Sequence, residues 1–132
     1  MTKILLVDDE PLILRSLQKT LLRAGFDVET APDCSGGLKI FEAALDSGAV
    51  FDIAVLDLNM PNFNGIPASG AGLELLSRLV ALQPALPVVV LTAYDEVNKA
   101  KDAVTRGARA YFVKGREQGL VELINEILHS HA

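Results

Sequence analysis

Residues 3–11 read KILLVDDEP, and this stretch decides the fold. An unbroken apolar run, Ile4-Leu5-Leu6-Val7, is closed by Asp8-Asp9-Glu10 and then Pro11. A continuous apolar run without alternation marks a strand buried on both faces, as in a parallel sheet covered by helices on either side. Pro11 suits the first turn of a helix, where its missing N–H costs nothing. The stretch is therefore one strand-turn-helix unit with an acidic turn.

Working outward, the unit recurs. Apolar runs at 53–56, 88–91 and 110–113 end in Asp57, Thr92 and Lys114. Ile13, Leu14, Leu17, Leu21 and Leu22 repeat at helical spacing from Pro11 to a stop at Gly25. Residues 27–31 alternate and are more polar, which predicts a strand at the sheet edge. Further helices are predicted over 33–47, 71–83, 96–106 and 117–131. The 96–106 helix has a thin apolar face (Val97, Ala100, Ala103, Val104), fitting a loosely held element or a partner surface. The alternation predicts an α/β fold: a doubly wound, flavodoxin-like (βα)5 sandwich. Its five-stranded parallel sheet is expected in the order 2-1-3-4-5, with right-handed crossovers.

The 132 residues fit a single domain, 1–132, and 50% apolar content is enough for a substantial core. Seventeen acidic against twelve basic residues, a net charge of −5, argue against a direct nucleic-acid partner. The lone Cys34 excludes an internal disulfide and fits a reducing compartment. No run approaches the roughly 18 apolar residues of a membrane span. Thr2-Lys3 leads straight into the first strand, leaving no room for a signal peptide. A cytoplasmic protein without a membrane partner is expected.

In an open parallel sheet the carboxyl ends of the strands share one edge, and ligands bind outside it. Asp8, Asp9, Asp57, Thr92 and Lys114 all fall on that edge. Three carboxylates, a hydroxyl and an ammonium group are the parts of a metal-assisted phosphoryl site. Each has a plainer role when taken singly. The Asp8-Asp9-Glu10 run can favour the positive end of the next helix by about 0.3–1 kcal/mol per residue. Asp57 can be an ordinary loop residue, Thr92 a strand-end hydroxyl, and Lys114 a solvated charge. Only the phosphoryl reading accounts for all of them at once.

The four segments LLVDDEP, VLDLNMPNFNG, VVVLTAYD and AYFVKG resemble the receiver domain of two-component response regulators, in order and at compatible spacing over essentially the whole chain. The resemblance implies that Asp57 is the phosphoacceptor, receiving a phosphoryl group from a histidine kinase or phosphotransfer protein. It implies Mg²⁺ held by Asp9, Asp57 and the backbone carbonyl of Asn59, with Asp8 acting through a water. Lys114 would neutralise the phosphoryl oxygens and Thr92 would hydrogen-bond one of them. Asn59 and Tyr94 would flank the path of the hydrolytic water. Thr92 and Tyr111 would be the switch, altering a surface built from 96–106, 110–113 and 117–131. That surface would serve an output domain, a partner protein or a homodimer. Such a domain is regulatory, catalysing only its own phosphorylation and dephosphorylation.

Two departures from the family pattern are legible. Gly115 follows Lys114 where the family usually has a proline after a cis bond, so either a trans bond or a strained cis bond is expected. MPNFNG matches the family spacing to Gly65 and LELLSRL matches the next helix. About seven extra residues, 66–72, lie between and read as a flexible loop rather than an added element. Cys34 reads as a small buried residue near a helix start, and His129 and His131 lack a third ligand for a metal. Two competing functions remain: a non-phosphorylated interaction module with the same fold, and a phosphohydrolase acting on external substrates. The second would need another acid–base carboxylate near Asp57, where Asn59 stands.

Overall fold

A computed structural model of the chain describes residues 2–60, 62–63, 66–67 and 70–129. Five strands, β1 (Lys3–Val7), β2 (Asp27–Ala31), β3 (Ile53–Asp57), β4 (Val88–Thr92) and β5 (Ala110–Val113), form one sheet in the order 2-1-3-4-5, and every pairing is parallel. Five helices alternate with them: α1 (Pro11–Arg23), α2 (Cys34–Ser47), α3 (Ala71–Leu82), α4 (Val97–Thr105) and α5 (Glu117–His129). The predicted architecture is the one observed.

Successive side chains of a strand point to opposite faces, so each buried strand feeds two cores. Leu5 and Val7 of β1, Ala54 and Leu56 of β3, and Val88 and Val90 of β4 pack with Phe41, Leu75, Leu76, Leu79, Ala100 and Ala103 from α2, α3 and α4. Their neighbours Ile4, Leu6, Ile53, Val55, Val89 and Leu91 pack with Leu17, Leu21, Leu120, Ile124 and Ile127 from α1 and α5. Every residue of β3 and β4 is buried, which is why these runs show no polar alternation. β2 is more polar because it is an edge strand: Val28 packs on the α1 side and Ala31 on the α2 side, while Asp27 and Glu29 are exposed. A Leu→Ala change in the middle of this sheet costs about 2–5 kcal/mol by the usual cavity penalty.

Element ends differ from the sequence reading by a residue or two, for identifiable reasons. Asp33 is the N-cap of α2 rather than its first residue, and its side chain accepts from the Gly36 N–H at 2.7 Å. Gly37 is tolerated because the helix lies against β1: a Cβ there would come within 2.8 Å of Val7. α4 begins at Val97 after a 3₁₀ turn, Tyr94–Glu96. Its thin apolar face is real, since Ala100 and Ala103 are buried while Val104 is exposed. Cys34 is buried, its thiol 3.7 Å from the sulfur of Met60. His129 is exposed at the end of α5, and His131 lies outside the described residues.

The extra segment requires a correction. The sequence reads 66–72 as a flexible loop rather than an added element, but its Ile66–Pro67 pairs antiparallel with Asn62–Phe63, a two-residue strand in the stretch before it. Ala71 and Gly72, counted with the insertion in the sequence, are the first two residues of α3. Gly72 is fixed there by close approach, since a Cβ would fall 2.6 Å from the Leu58 carbonyl oxygen and 2.7 Å from that of Asp57. Gly65 lies outside the described residues.

Candidate functional site

The register of the sheet assembles the site. Val7 pairs with Leu56, Asp57 with Leu91, and Thr92 with Val113. One residue past Val7 therefore sets Asp8 level with Asp57, and Lys114 follows one residue beyond the level of Thr92. Asp57 and Thr92 are themselves the last residues of their strands rather than the first residues beyond them.

Asp8, Asp57 and Thr92 are the buried polar residues of the described chain, whereas Asp9 is half-buried and Glu10 exposed. One carboxylate oxygen from each of Asp8, Asp9, Glu10 and Asp57 lies within 4.8 Å of all the others. The Lys114 ammonium sits among them, 3.2 Å from Asp8, 3.3 Å from Asp57 and 2.9 Å from Glu10. Each buried aspartate is held by one oxygen. Asp57 Oδ1 accepts from the Asn59 backbone N–H at 3.0 Å, and Asp8 Oδ1 accepts from the Glu10 backbone N–H at 2.9 Å. Their other oxygens, Asp57 Oδ2 and Asp8 Oδ2, are buried without a directional hydrogen bond, each facing the ammonium.

Four carboxylates against one ammonium group leave a surplus of negative charge, and the proton affinities report it. Burial first, and the Asp57 charge second among the raising effects, push Asp8 up to about 6. Asp9 is raised by burial first and then by the adjacent Asp57 carboxylate. Burial alone would lower Lys114, but Glu10, Asp57 and Asp8 outweigh it and hold the ammonium above its ordinary range.

The donor set fits a hard divalent cation. All candidate atoms are oxygens, and two buried carboxylate oxygens lack a directional partner. Mg²⁺ takes one or two carboxylates and keeps waters elsewhere in its octahedron.

Thr92 is at the site, but its hydroxyl donates to the carbonyl oxygens of Ala93 and Glu96, both at 3.2 Å, and among the described residues no hydrogen bond joins it to Asp57. Tyr111 is half-buried on the edge strand β5 and packs against the cluster containing Ala100 and Ala103. The side chain of Tyr94 lies outside the description. The Lys114–Gly115 bond is trans, and Gly115 has φ +123°, a conformation that excludes proline. The trans alternative is the one adopted.

Sequence reasoning missed two features. Glu10 was read only as a helix-end charge, although its place in an unbroken acidic run was the available signal. The Asn59 N–H that orients Asp57 has no sequence signal, because it is a backbone group.

The family model for the response regulator receiver domain matches residues 4–125. The alginate biosynthesis transcriptional regulatory protein AlgB of Pseudomonas aeruginosa is 37% identical over 112 residues, covering 85% of this chain and 22% of that protein. The two-component response regulator ORR24 of Oryza sativa subsp. japonica is 32% identical over 112 residues, 85% of this chain and 16% of that one. The crystal structure of a response regulator receiver domain protein from Clostridium thermocellum superposes with a TM-score of 0.83 at 29% identity, covering 98% of this chain and 96% of the other. A CheY-like receiver domain protein from Methanospirillum hungatei JF-1 gives 0.81 at 29% identity, covering 98% and 95%. The chain thus spans less than a quarter of the two curated relatives and almost all of these two solved structures.

Proposed function

Because this chain belongs to the response regulator receiver domain family, we propose that Asp57 is a phosphoacceptor whose modification resets the Thr92–Glu96 segment. One observation carries the reading: Asp57 Oδ2 is buried, lacks a directional partner, and faces the Lys114 ammonium at 3.3 Å. A free lone pair is thereby aimed at a cation rather than consumed by a hydrogen bond.

Asp57 Oδ2 attacks the phosphorus of a phosphohistidine. A P–O bond forms, the P–N bond breaks, and the imidazole leaves with the electron pair. Receiver domains work with Mg²⁺, and Asp8, Asp9, Asp57 and the Asn59 carbonyl are the groups that would hold it here. Bound there, the ion offsets the repulsion between carboxylate and phosphoryl oxygens. Lys114 neutralises the charge on the transferred group, so the chain's own contribution is positioning and electrostatics rather than acid–base chemistry. Attack of water on the acyl phosphate later returns Asp57 and inorganic phosphate. The role is regulatory.

The Thr92 hydroxyl has a single proton, now directed to the Ala93 and Glu96 carbonyls. Donating it to a phosphoryl oxygen instead releases the turn at Tyr94–Glu96 and the start of α4. Ala100 and Ala103 bury little area, so α4 is cheap to move, and Tyr111 packs on the cluster they belong to. The surface formed by α4, β5 and α5 is then the readout for an output domain, a partner or a second copy. Response regulators pair with histidine kinases, and a histidine kinase or phosphotransfer protein is the proposed donor.

Incubation with Mg²⁺ and acetyl phosphate tests the reading. Intact mass should rise by one phosphoryl group, and Asp57→Asn should abolish the gain. No gain in the unaltered chain overturns it.

A further inference from the structure

The loop 114–116 carries the lysine of the site, yet little packing holds it. A Cβ at Gly115 would meet nothing within 4 Å, and φ +123° gives this residue the freedom that only glycine has. Beneath the loop lies a cavity of about 240 Å³ lined by Ile13, Leu17, Phe112, Lys114, Gly115 and Glu117. A proline would have stiffened this segment; glycine leaves it to be restrained from outside.

Besides the ion pairs of the ammonium itself and the Arg116 carbonyl, which accepts from the Gly119 N–H at 3.0 Å, the loop is held at both ends. The Lys114 N–H donates to the Thr92 carbonyl at 3.0 Å, which fixes the upstream end. The downstream end is gripped through Glu117, the first residue of α5. Ser16 Oγ donates to Glu117 Oε2 and Thr20 Oγ1 donates to Glu117 Oε1, each at 2.5 Å. Both oxygens of one carboxylate are engaged by hydroxyls four residues apart on one face of α1. Charge-assisted hydrogen bonds of this length are strong and directional. The same helix α1 starts immediately after Asp8-Asp9-Glu10, the acids that face Lys114.

We infer that the Ser16–Glu117–Thr20 clamp is a positioning device for Lys114, holding the glycine-bearing loop at a fixed distance from the acidic cluster through the rigid body of α1. Glu117 touches neither Asp57 nor the phosphoryl group; it acts through the lysine. The inference rests on the phosphoryl-transfer role of Lys114 proposed above. An unclamped loop lets the ammonium sample positions away from the transferring group, and a displacement of 1 Å can cost up to about a hundredfold in rate.

The experiment measures the rate of phosphorylation by acetyl phosphate at saturating Mg²⁺, with Mg²⁺ affinity followed separately by calorimetry. Glu117→Ala should slow phosphorylation by roughly tenfold while leaving Mg²⁺ affinity unchanged. Glu117→Gln, which can still accept from one hydroxyl and donate to the other, should keep most of the rate. Ser16→Ala combined with Thr20→Val should match Glu117→Ala, and adding it to Glu117→Ala should cost nothing more, as expected for one unit. In a Lys114→Ala background, Glu117→Ala should have no further effect.

A Glu117→Ala rate equal to that of the unaltered chain overturns the inference. So does an equal slowing in the presence and absence of Lys114, which would place the effect elsewhere. Should Glu117→Ala fail to fold, the Ser16→Ala/Thr20→Val pair removes only two hydroxyls and decides by the same comparison. If the unaltered chain takes up no phosphoryl group, the acceptor reading falls instead. The clamp is then judged by the Gly115 amide resonance: broadening in the clamp variants supports it, and an unchanged line overturns it.

Discussion

The two edges of the sheet each carry a lysine among carboxylates, and they are built to opposite ends. At the amino edge, the Lys3 backbone N–H donates to Asp52 at 2.8 Å. The Lys3 ammonium donates to the Ala49 carbonyl at 2.9 Å, lies 3.3 Å from Glu29 and sits 4.7 Å over the Phe51 ring. Two acids meet one lysine there, with solvent at hand. At the carboxyl edge, one ammonium faces Asp8, Glu10 and Asp57 with Asp9 beside them, and two buried carboxylate oxygens have no directional partner. The first arrangement is satisfied. The second is left short of positive charge, at a cost in stability, and on the proposed reading that deficit is what a divalent cation would relieve. What separates the two edges is the surplus of carboxylate charge around one ammonium at the carboxyl edge.

The contrast can be broken most severely at Asp57. Asp57→Asn should lose phosphoryl uptake completely by intact mass, yet melt higher than the unaltered chain in the presence of a chelator, because it removes repulsion. A lower melting midpoint would mean the site is not overcharged. Adding Mg²⁺ should also relieve the carboxyl edge: at about one hundred times its dissociation constant it should stabilise the fold by about 2.7 kcal/mol. Chelator should reverse this, and calorimetric scans should show no comparable gain once Asp8 and Asp57 are both amidated.

Next in size is Gly72→Ala. A Cβ 2.6 Å from a backbone carbonyl oxygen must push α3 away from the end of β3, at about 1–3 kcal/mol in denaturant titrations. An ordinary helical glycine would gain from the same change.

A subtler test is the pH dependence. Asp8 titrates near 6 in the folded chain against 3.8 when unfolded, so between those values the folded state holds the extra proton. Metal-free stability contributed by this group therefore rises as pH falls from about 6 towards 3.8, is fully present below 3.8, and is lost as pH rises through 6. Mg²⁺ affinity should move the other way, weakening below about pH 6 as protons compete. Melting curves of Asp8→Asn, which lacks this slope, isolate the effect; an identical slope in both proteins would refute the assignment. The smallest effect should come from the satisfied edge, where Asp52→Asn is expected to cost no more than about 1 kcal/mol and to leave Mg²⁺ binding untouched.

Much of this was legible from residue order alone. The uninterrupted runs at Ile4–Val7 and Val88–Leu91 announced strands buried on both faces, and the chemistry at their ends announced the site. The hairpin pairing Asn62–Phe63 with Ile66–Pro67 was not legible, because two-residue strands carry no period. Glu10 was visible as a charge but not as a partner of Lys114, which lies 104 residues away. The grip of Ser16 and Thr20 on Glu117 was hidden for the same reason: hydroxyls at i and i+4 declare a face, not what meets it.

The sequence by itself determined the order of elements, the parallel sheet and the identity of the acids and the lysine. These follow from local periodicity and from the rule that strand ends share an edge. Only the tertiary structure decided that the Thr92 hydroxyl bonds the Ala93 and Glu96 carbonyls, that Lys114–Gly115 is trans, and that Gly72 rather than a loop residue carries the close approach. Those outcomes depend on which backbone groups long-range packing brings within about 3 Å, the range in which hydrogen bonds and contacts are won or lost.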